Sequence, residues 1–133
     1  MQITRQADYA VRAVQFLSGL ENGDRATTKN IAEAQDIPPS FLAKIIAQLT
    51  VVGLLETTRG VRGGVSLARV PDDISLLEVV EAIDGPVTVN ACVHDHYNCS
   101  IENCPVRSIW CEVQTDLVDR LKSTKFSQFL VTA

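Results

Sequence analysis

Apolar residues fall at helical steps in five stretches of this chain and in short strand-like runs in two more. Ala7, Ala10, Val11, Val14 and Leu17 recur every three or four residues, which predicts an amphipathic first helix ending near Gly19 and Gly23. Thr27 and Thr28 are N-cap candidates for a short second helix through Ile31, Ala32 and Ile37. Pro38 and Pro39 then break the chain, Ser40 offers a cap, and Phe41, Leu42, Ile45, Ile46 and Leu49 form the inner face of a third helix that stops at Gly53. Leu54-Leu55-Glu56-Thr57 and Val65-Ser66-Leu67-Ala68 predict two strands around the tip TRGVRGG, where Gly60, Gly63 and Gly64 permit the backbone of a hairpin turn. Ser75 caps a fourth helix through Leu76, Val79, Val80 and Ile83, and Glu78, three residues later, fits a capping box. From Pro105, a good first helical residue, Val106, Trp110, Val113, Leu117 and Leu121 give a long fifth helix one apolar stripe. Phe126, Phe129 and Leu130 then suggest a terminal turn that helps bury the stripe.

These elements predict a mainly α fold with a small β-hairpin wing: a winged helix-turn-helix domain over residues 1–84, a cysteine-rich loop over 85–104, and a dimerisation helix with its turn over 105–133. A long helix trailing a domain that already has a core most simply buries its stripe against a second copy, which predicts a homodimer; packing onto its own domain is the alternative.

A chain of 133 residues can bury a core without disulfide staples. It shows no charged-then-apolar leader and no apolar run of about 18 residues, so the expectation is a cytoplasmic protein with reduced thiols and no membrane association. The net charge of -4 is uneven. Residues 1–70 carry eight Lys or Arg against six Asp or Glu, whereas residues 71–133 carry four against ten, so the first part can approach phosphate while the second stays away. Position carries more weight than this balance. The outer face of the third helix would present Ser40, Ala43, Lys44 and Gln48, small and polar groups that suit a major groove. A turn needs glycine but has no structural use for Arg59 and Arg62, whereas a wing on phosphate or in a minor groove needs both; a solvated basic turn is the plainer alternative. The candidate DNA contacts are Thr28, Lys29, Ser40, Phe41, Lys44, Gln48, Arg59, Arg62 and Gly63.

The stretch ACVHDHYNCSIENCPVRSIWC holds every cysteine: Cys92, Cys99, Cys104 and Cys111. Thiolates gathered on one loop suit a soft metal or a redox reaction. His94 and His96 stand near Cys92 and could ligate as well, although solvent exposure is the simpler reading; zinc sites usually use close C-x-x-C pairs, and none occurs. If the fifth helix starts at Pro105, Cys111 lies about 10 Å along the axis from Cys104, which suits neither a shared site nor a disulfide. Cys111 then packs beside the helix or acts as a secondary redox thiol. Asp8, near the start of the first helix, fits a carboxylate at the positive helix end. No nucleophile-base pairing, phosphate-cradling loop or paired catalytic carboxylates point to an enzyme.

The segments ITRQADYAVRAV, IPPSFLAKIIAQLTVVGLLETTRGVRGGVSL and ISLLEVVEAIDGP, with the spaced cysteines, resemble the Rrf-two family of IscR-, NsrR- and RirA-type winged-helix regulators over nearly the whole chain. The family motif RGxxGGxxL reads RGVRGGVSL here. The resemblance implies a homodimer on a partly palindromic double-stranded operator, with the third helix in the major groove and Arg59 in the minor groove. It also implies an iron-sulfur cluster, [4Fe-4S] or [2Fe-2S], on Cys92, Cys99 and Cys104, sensing redox state, nitric oxide or iron supply. IscR-like proteins place a histidine three residues after the last ligating cysteine, where this chain has Arg107. NsrR-like proteins use an aspartate of the first helix, which aligns with Asp8 and makes it a candidate fourth ligand donated across the dimer. Some members lack clusters, so a cluster-free regulator responding to thiol oxidation or a partner protein is the alternative.

Overall fold

The computed structural model describes residues 2–21, 24–93 and 101–130. Helix α1 (Arg5–Ser18) opens at Thr4, whose hydroxyl accepts the Ala7 amide at 3.1 Å. Thr4 also reaches across the fold. Its amide donates at 3.3 Å to Asp84, the last residue of α4 (Leu76–Asp84), and its hydroxyl donates to the same carboxylate. Helix α2 (Thr28–Gln35) is capped by Thr27, which accepts the Asn30 amide at 3.0 Å, and it ends on Asp36 in the left-handed region at φ 52°.

Helix α3 (Pro39–Val51) has no side-chain cap, and Ser40 lies inside its first turn. Pro38 occupies the cap position, while Pro39 carries no N–H and already has a helical φ, so a capping hydroxyl has less to satisfy. Leu42, Ile45, Ile46 and Leu49 are buried as their period predicts. Phe41, expected on the same inner face, is 42% exposed, and its ring rests against Tyr9 of α1 with centroids 6.3 Å apart.

Strands β1 (Leu55–Thr58) and β2 (Gly64–Leu67) lie within a residue of the predicted runs and pair antiparallel, Leu55 opposite Leu67 and Thr58 opposite Gly64. Ala26 adds a bridge to Val65, with amide-to-carbonyl bonds of 2.9 and 2.7 Å. Two helices, their short connection and this hairpin form the winged helix-turn-helix.

Two hydrophobic cores hold the elements. The main one joins Ala10, Ala13 and Val14 of α1, Ile31 of α2, Ile45 and Leu49 of α3, Leu55 and Val65 of the wing, and Val79 of α4. The second joins Ala7, Leu77, Val80 and Val87 beneath Leu117, Val118 and Leu121 of α5 (Arg107–Ser123). That helix starts two residues later than predicted, because Pro105 and Val106 form a turn. The predicted stripe is therefore divided. Leu117 and Leu121 pack on the chain's own core, whereas Val106, Trp110 and Val113 stay exposed beside Ile109.

Phe126 also departs from expectation. Rather than extending the stripe of α5, it is wholly buried in the main core, and its amide donates to the Ile74 carbonyl at 3.1 Å. Burying a side chain of that size contributes about 1.5–3 kcal/mol. Among the described residues no helix is long and apolar enough to cross a membrane.

The capping box at the start of α4 is complete. Ser75 Oγ accepts the Glu78 amide at 3.1 Å, and Glu78 Oε2 accepts the Ser75 amide at 3.0 Å. Glu78 also pairs with Arg69 at 2.8 Å. Partial burial pushes the Glu78 carboxyl upward, but the Ser75 amide, the Arg69 guanidinium and the Ser75 hydroxyl together hold it below its ordinary value of 4.5. The contribution of this carboxylate is thus complete above that value and is lost as pH falls through the lowered one. Ser75→Ala should cost about 1 kcal/mol in urea unfolding at neutral pH. Glu78→Gln should also destabilise there, and its gap from the unaltered protein should close as unfolding is repeated in increasingly acid buffer.

Candidate functional site

The outer face of α3 exposes Ser40, Lys44 and Gln48, with the small Ala43 among them. Thr28 and Lys29 lie in the first turn of α2, Thr28 half-buried and Lys29 exposed. At the wing tip Arg59 and Arg62 are exposed, with Val61 between them. The tip closes by the Gly63 amide donating to the Gly60 carbonyl at 2.9 Å. A Cβ on Gly63 would stand 2.2 Å from the Thr58 oxygen, so the turn admits only glycine there. Arg25, which no local sequence pattern singles out, donates to the Arg62 carbonyl at 3.2 Å. The Ala26–Val65 bridge brings it there, a long-range pairing with no local signature.

Cys92 sits in a 3-10 turn (Ala91–Val93) and Cys104 just before α5. The two free, half-buried thiols line one cleft of about 520 Å³ with Ile101, Asn103, Arg107 and Trp110. Arg107 Nε donates to the Cys92 carbonyl at 3.3 Å. Asn103 takes a left-handed φ of 51°, turning the chain into Cys104. Cys99, His94 and His96 lie outside the described residues. Among the described residues no three His, Cys, Asp or Glu side chains stand close enough to hold a metal ion. Two of the expected sulfur donors share this cleft, whose walls are apolar at Ile101 and Trp110 and polar at Asn90, Glu102 and Arg107; paired thiols are the donor chemistry that a soft metal takes. Cys111 is exposed on α5 outside that lining. Because the helix begins at Arg107, the rise per residue of an α-helix does not apply across the turn from Cys104.

The stem leading to Cys92 is held from both sides. Val87 donates its amide to Glu81 Oε2 at 2.8 Å. Gln114 of α5 accepts the Val89 amide at 2.9 Å and donates to the Val87 carbonyl at 2.6 Å.

Asp8 does not line the cysteine cleft of its own chain. It lies in a polar groove with Arg5, Arg12 and Asp36, and its carboxylate pairs with Arg12 at 2.8 Å. Arg12 has two further partners: the Tyr9 ring, 5.7 Å below the guanidinium, and the Gln35 carbonyl, which accepts from Nη1 at 3.4 Å.

Residues 3–132 match the family model Rrf2, described as "Iron-dependent Transcriptional regulator". The chain belongs to the Rrf2 family. That family and the named relatives of this chain are transcriptional regulators rather than enzymes. The HTH-type transcriptional regulator NsrR of Geobacillus kaustophilus (strain HTA426) is 35% identical over 98 residues, 74% of this chain and 67% of that protein. An HTH-type regulator of Mycobacterium tuberculosis (strain CDC 1551 / Oshkosh) is 40% identical over 87 residues, 65% of this chain and 54% of that protein. The chain spans about half the length of this second relative. The structure of CymR (YrzC), the global cysteine regulator of Bacillus subtilis, matches with a TM-score of 0.85 over 97% of this chain and 95% of that one at 20% identity, which shows a common fold.

On this Rrf2 scaffold the candidate contacts fall in three places, the first turn of α2, the outer face of α3 and the wing tip, and all are exposed except the half-buried Thr28 and Gly63. Sequence reasoning missed Arg25, Arg12 and Gln114, each of which acts on a backbone carbonyl distant in the chain. Gly63→Ala should move the amide resonances of residues 59–64 while leaving those of α1 and α4 in place, and should destabilise the chain by about 0.5–3 kcal/mol. Unchanged wing resonances would contradict the steric account.

Proposed function

We propose that this Rrf2 protein acts in the cytoplasm as a homodimeric, DNA-binding regulator whose affinity for a partly palindromic operator is set by an iron-sulfur cluster. Cys92, Cys99 and Cys104 would hold the cluster, with the partner subunit's Asp8 as the fourth ligand. The observation that carries this reading is that Cys92 and Cys104 open into one cleft at the head of α5, beside the exposed Val106, Ile109, Trp110 and Val113. A bound cluster supplies a centre that oxidant, nitric oxide or iron shortage alters. The protein's part is to turn occupancy into position. Asp8 now neutralises Arg12, so recruiting Asp8 to the partner's cleft leaves Arg12 with only the Gln35 carbonyl and the Tyr9 ring. The first ends α2, and the second bears on Phe41 in the first turn of α3, so the reading helices sense the exchange.

On DNA, α3 enters the major groove through Ser40, Phe41, Lys44 and Gln48, the first turn of α2 brings Thr28 and Lys29 to phosphate, and Arg59 and Arg62 reach the minor groove from a tip that Gly63 permits. A second reading, a cluster-free regulator responding to thiol oxidation or a partner protein, draws on the exposed Cys111 thiol outside the cleft.

Anaerobically purified protein from iron-replete cells should show a broad visible absorption band with matching iron and sulfide, and Cys92→Ala should lose it. A colourless, iron-free protein would overturn the cluster reading, and operator binding indifferent to Cys92→Ala would favour the second. For the DNA face, Lys44→Ala should weaken binding and lower the slope of log K against log salt by about 1. Arg59→Ala should weaken operator binding more than binding to random sequence.

A further inference from the structure

The stem that carries Cys92 runs along α5, and two polar side chains of that helix grip its backbone. Gln114 bonds both the Val87 carbonyl and the Val89 amide, so one side chain closes the two backbone groups that flank Thr88. Seven residues earlier, about two turns back on the same side of the helix, Arg107 holds the Cys92 carbonyl. Glu81 of α4 takes the Val87 amide, and the Val87 side chain is buried in the second core. The path from α4 to the first thiol is therefore fixed before the cleft begins. The amide at position 114 supplies both an acceptor and a donor, whereas a carboxylate accepts at both oxygens and cannot donate to the Val87 carbonyl.

We infer that Gln114 is a positioning residue for the cysteine cleft: it sets where Cys92 stands relative to Cys104 before any metal arrives. The inference rests on reading that cleft as a thiolate metal site. Its physical basis is preorganisation. A stem already ordered against α5 does not have to be ordered again when metal binds, and residues that orient ligands commonly govern metal affinity without touching the ion.

The test uses the reduced, metal-free full chain titrated with cadmium(II), followed through sulfur-to-metal charge-transfer absorption. The emission of Trp110, the single tryptophan of the chain and a wall of the cleft, gives an independent signal. Gln114→Ala should bind cadmium about 10- to 100-fold more weakly than the unaltered protein. Gln114→Glu, which keeps an acceptor for the Val89 amide, should fall between. Ser75→Ala, destabilised at a cap remote from the stem, should keep the unaltered affinity and so separates positioning from general loss of stability. In the metal-free state the Val89 amide should exchange faster in Gln114→Ala than in the unaltered chain, and if that variant does not fold, Gln114→Glu carries the comparison. Cadmium affinity unchanged by either substitution, a loss no greater than in Ser75→Ala, or unaltered Val89 exchange overturns the inference. Unaltered protein that takes up no cadmium sinks the metal reading itself, whereas normal uptake with an indifferent position 114 sinks this inference alone.

Discussion

Ala7, Ala10 and Ala13 leave no surface exposed on the inner side of α1, and their small side chains let α4 approach closely enough for Val79 and Val80 to fill the space. At native packing density that contact tolerates little change in volume, and an added methylene or two would cost about 1–3 kcal/mol. Thr4 and Asp84 fasten one end of the pair. The consequence is a close-packed pair, tied at one end by side-chain hydrogen bonds. The outer side of α1 carries Asp8 and Arg12, and the end of α4 runs directly into the stem of the cysteine cleft, so the two halves of the proposed sensing site are mounted on this one pair.

The rest of the chain divides according to what this pair leaves uncovered. One side receives α2, α3 and the wing, which share the main core and present the outer face of α3 and the arginine-bearing tip outward. The other receives Leu117, Val118 and Leu121 of α5. In the proposed complex with DNA the excess of acidic over basic residues beyond position 70 would have a physical sense, because the wing and α3 would approach phosphate while α5 and its neighbours would stay away from it. In the proposed dimer the exposed first half of the α5 stripe would lie between copies, next to the thiols.

Local signals were well expressed in the sequence. Ser75 and Glu78 form the capping box their spacing announces, the hairpin falls within a residue of its predicted bounds, and Leu42, Ile45 and Leu49 are buried on their period. What the sequence hid depends on partners distant in the chain. Phe41 follows the apolar period of α3 but faces outward onto Tyr9, since period does not reveal which neighbouring helix ends short of it. Pro105 is a good first helical residue, yet the chain makes a turn there before α5 begins. Gln114 reads as one more polar residue on a solvated face, because its two bonds go to backbone 25 and 27 residues away. Of the candidate cysteine site, the neighbourhood of Cys92 and Cys104 was legible from clustering alone, whereas the grip that holds it was not.

Phe126 limits how copies of this protein can entangle. Helices that follow a compact head are natural candidates for exchange between protomers, with each copy lending its last helix to the other. Here the residue just past α5 is driven into the main core, and the segment is laced to the start of α4 by the Leu76 amide on the Thr124 carbonyl at 2.8 Å and the Phe126 amide on Ile74. Swapping would pull an aromatic plug from each head and strip a short ladder of backbone bonds before any replacement could form. In the proposed homodimer, side-by-side association would keep both intact and leave the copies free to separate cleanly rather than interlock.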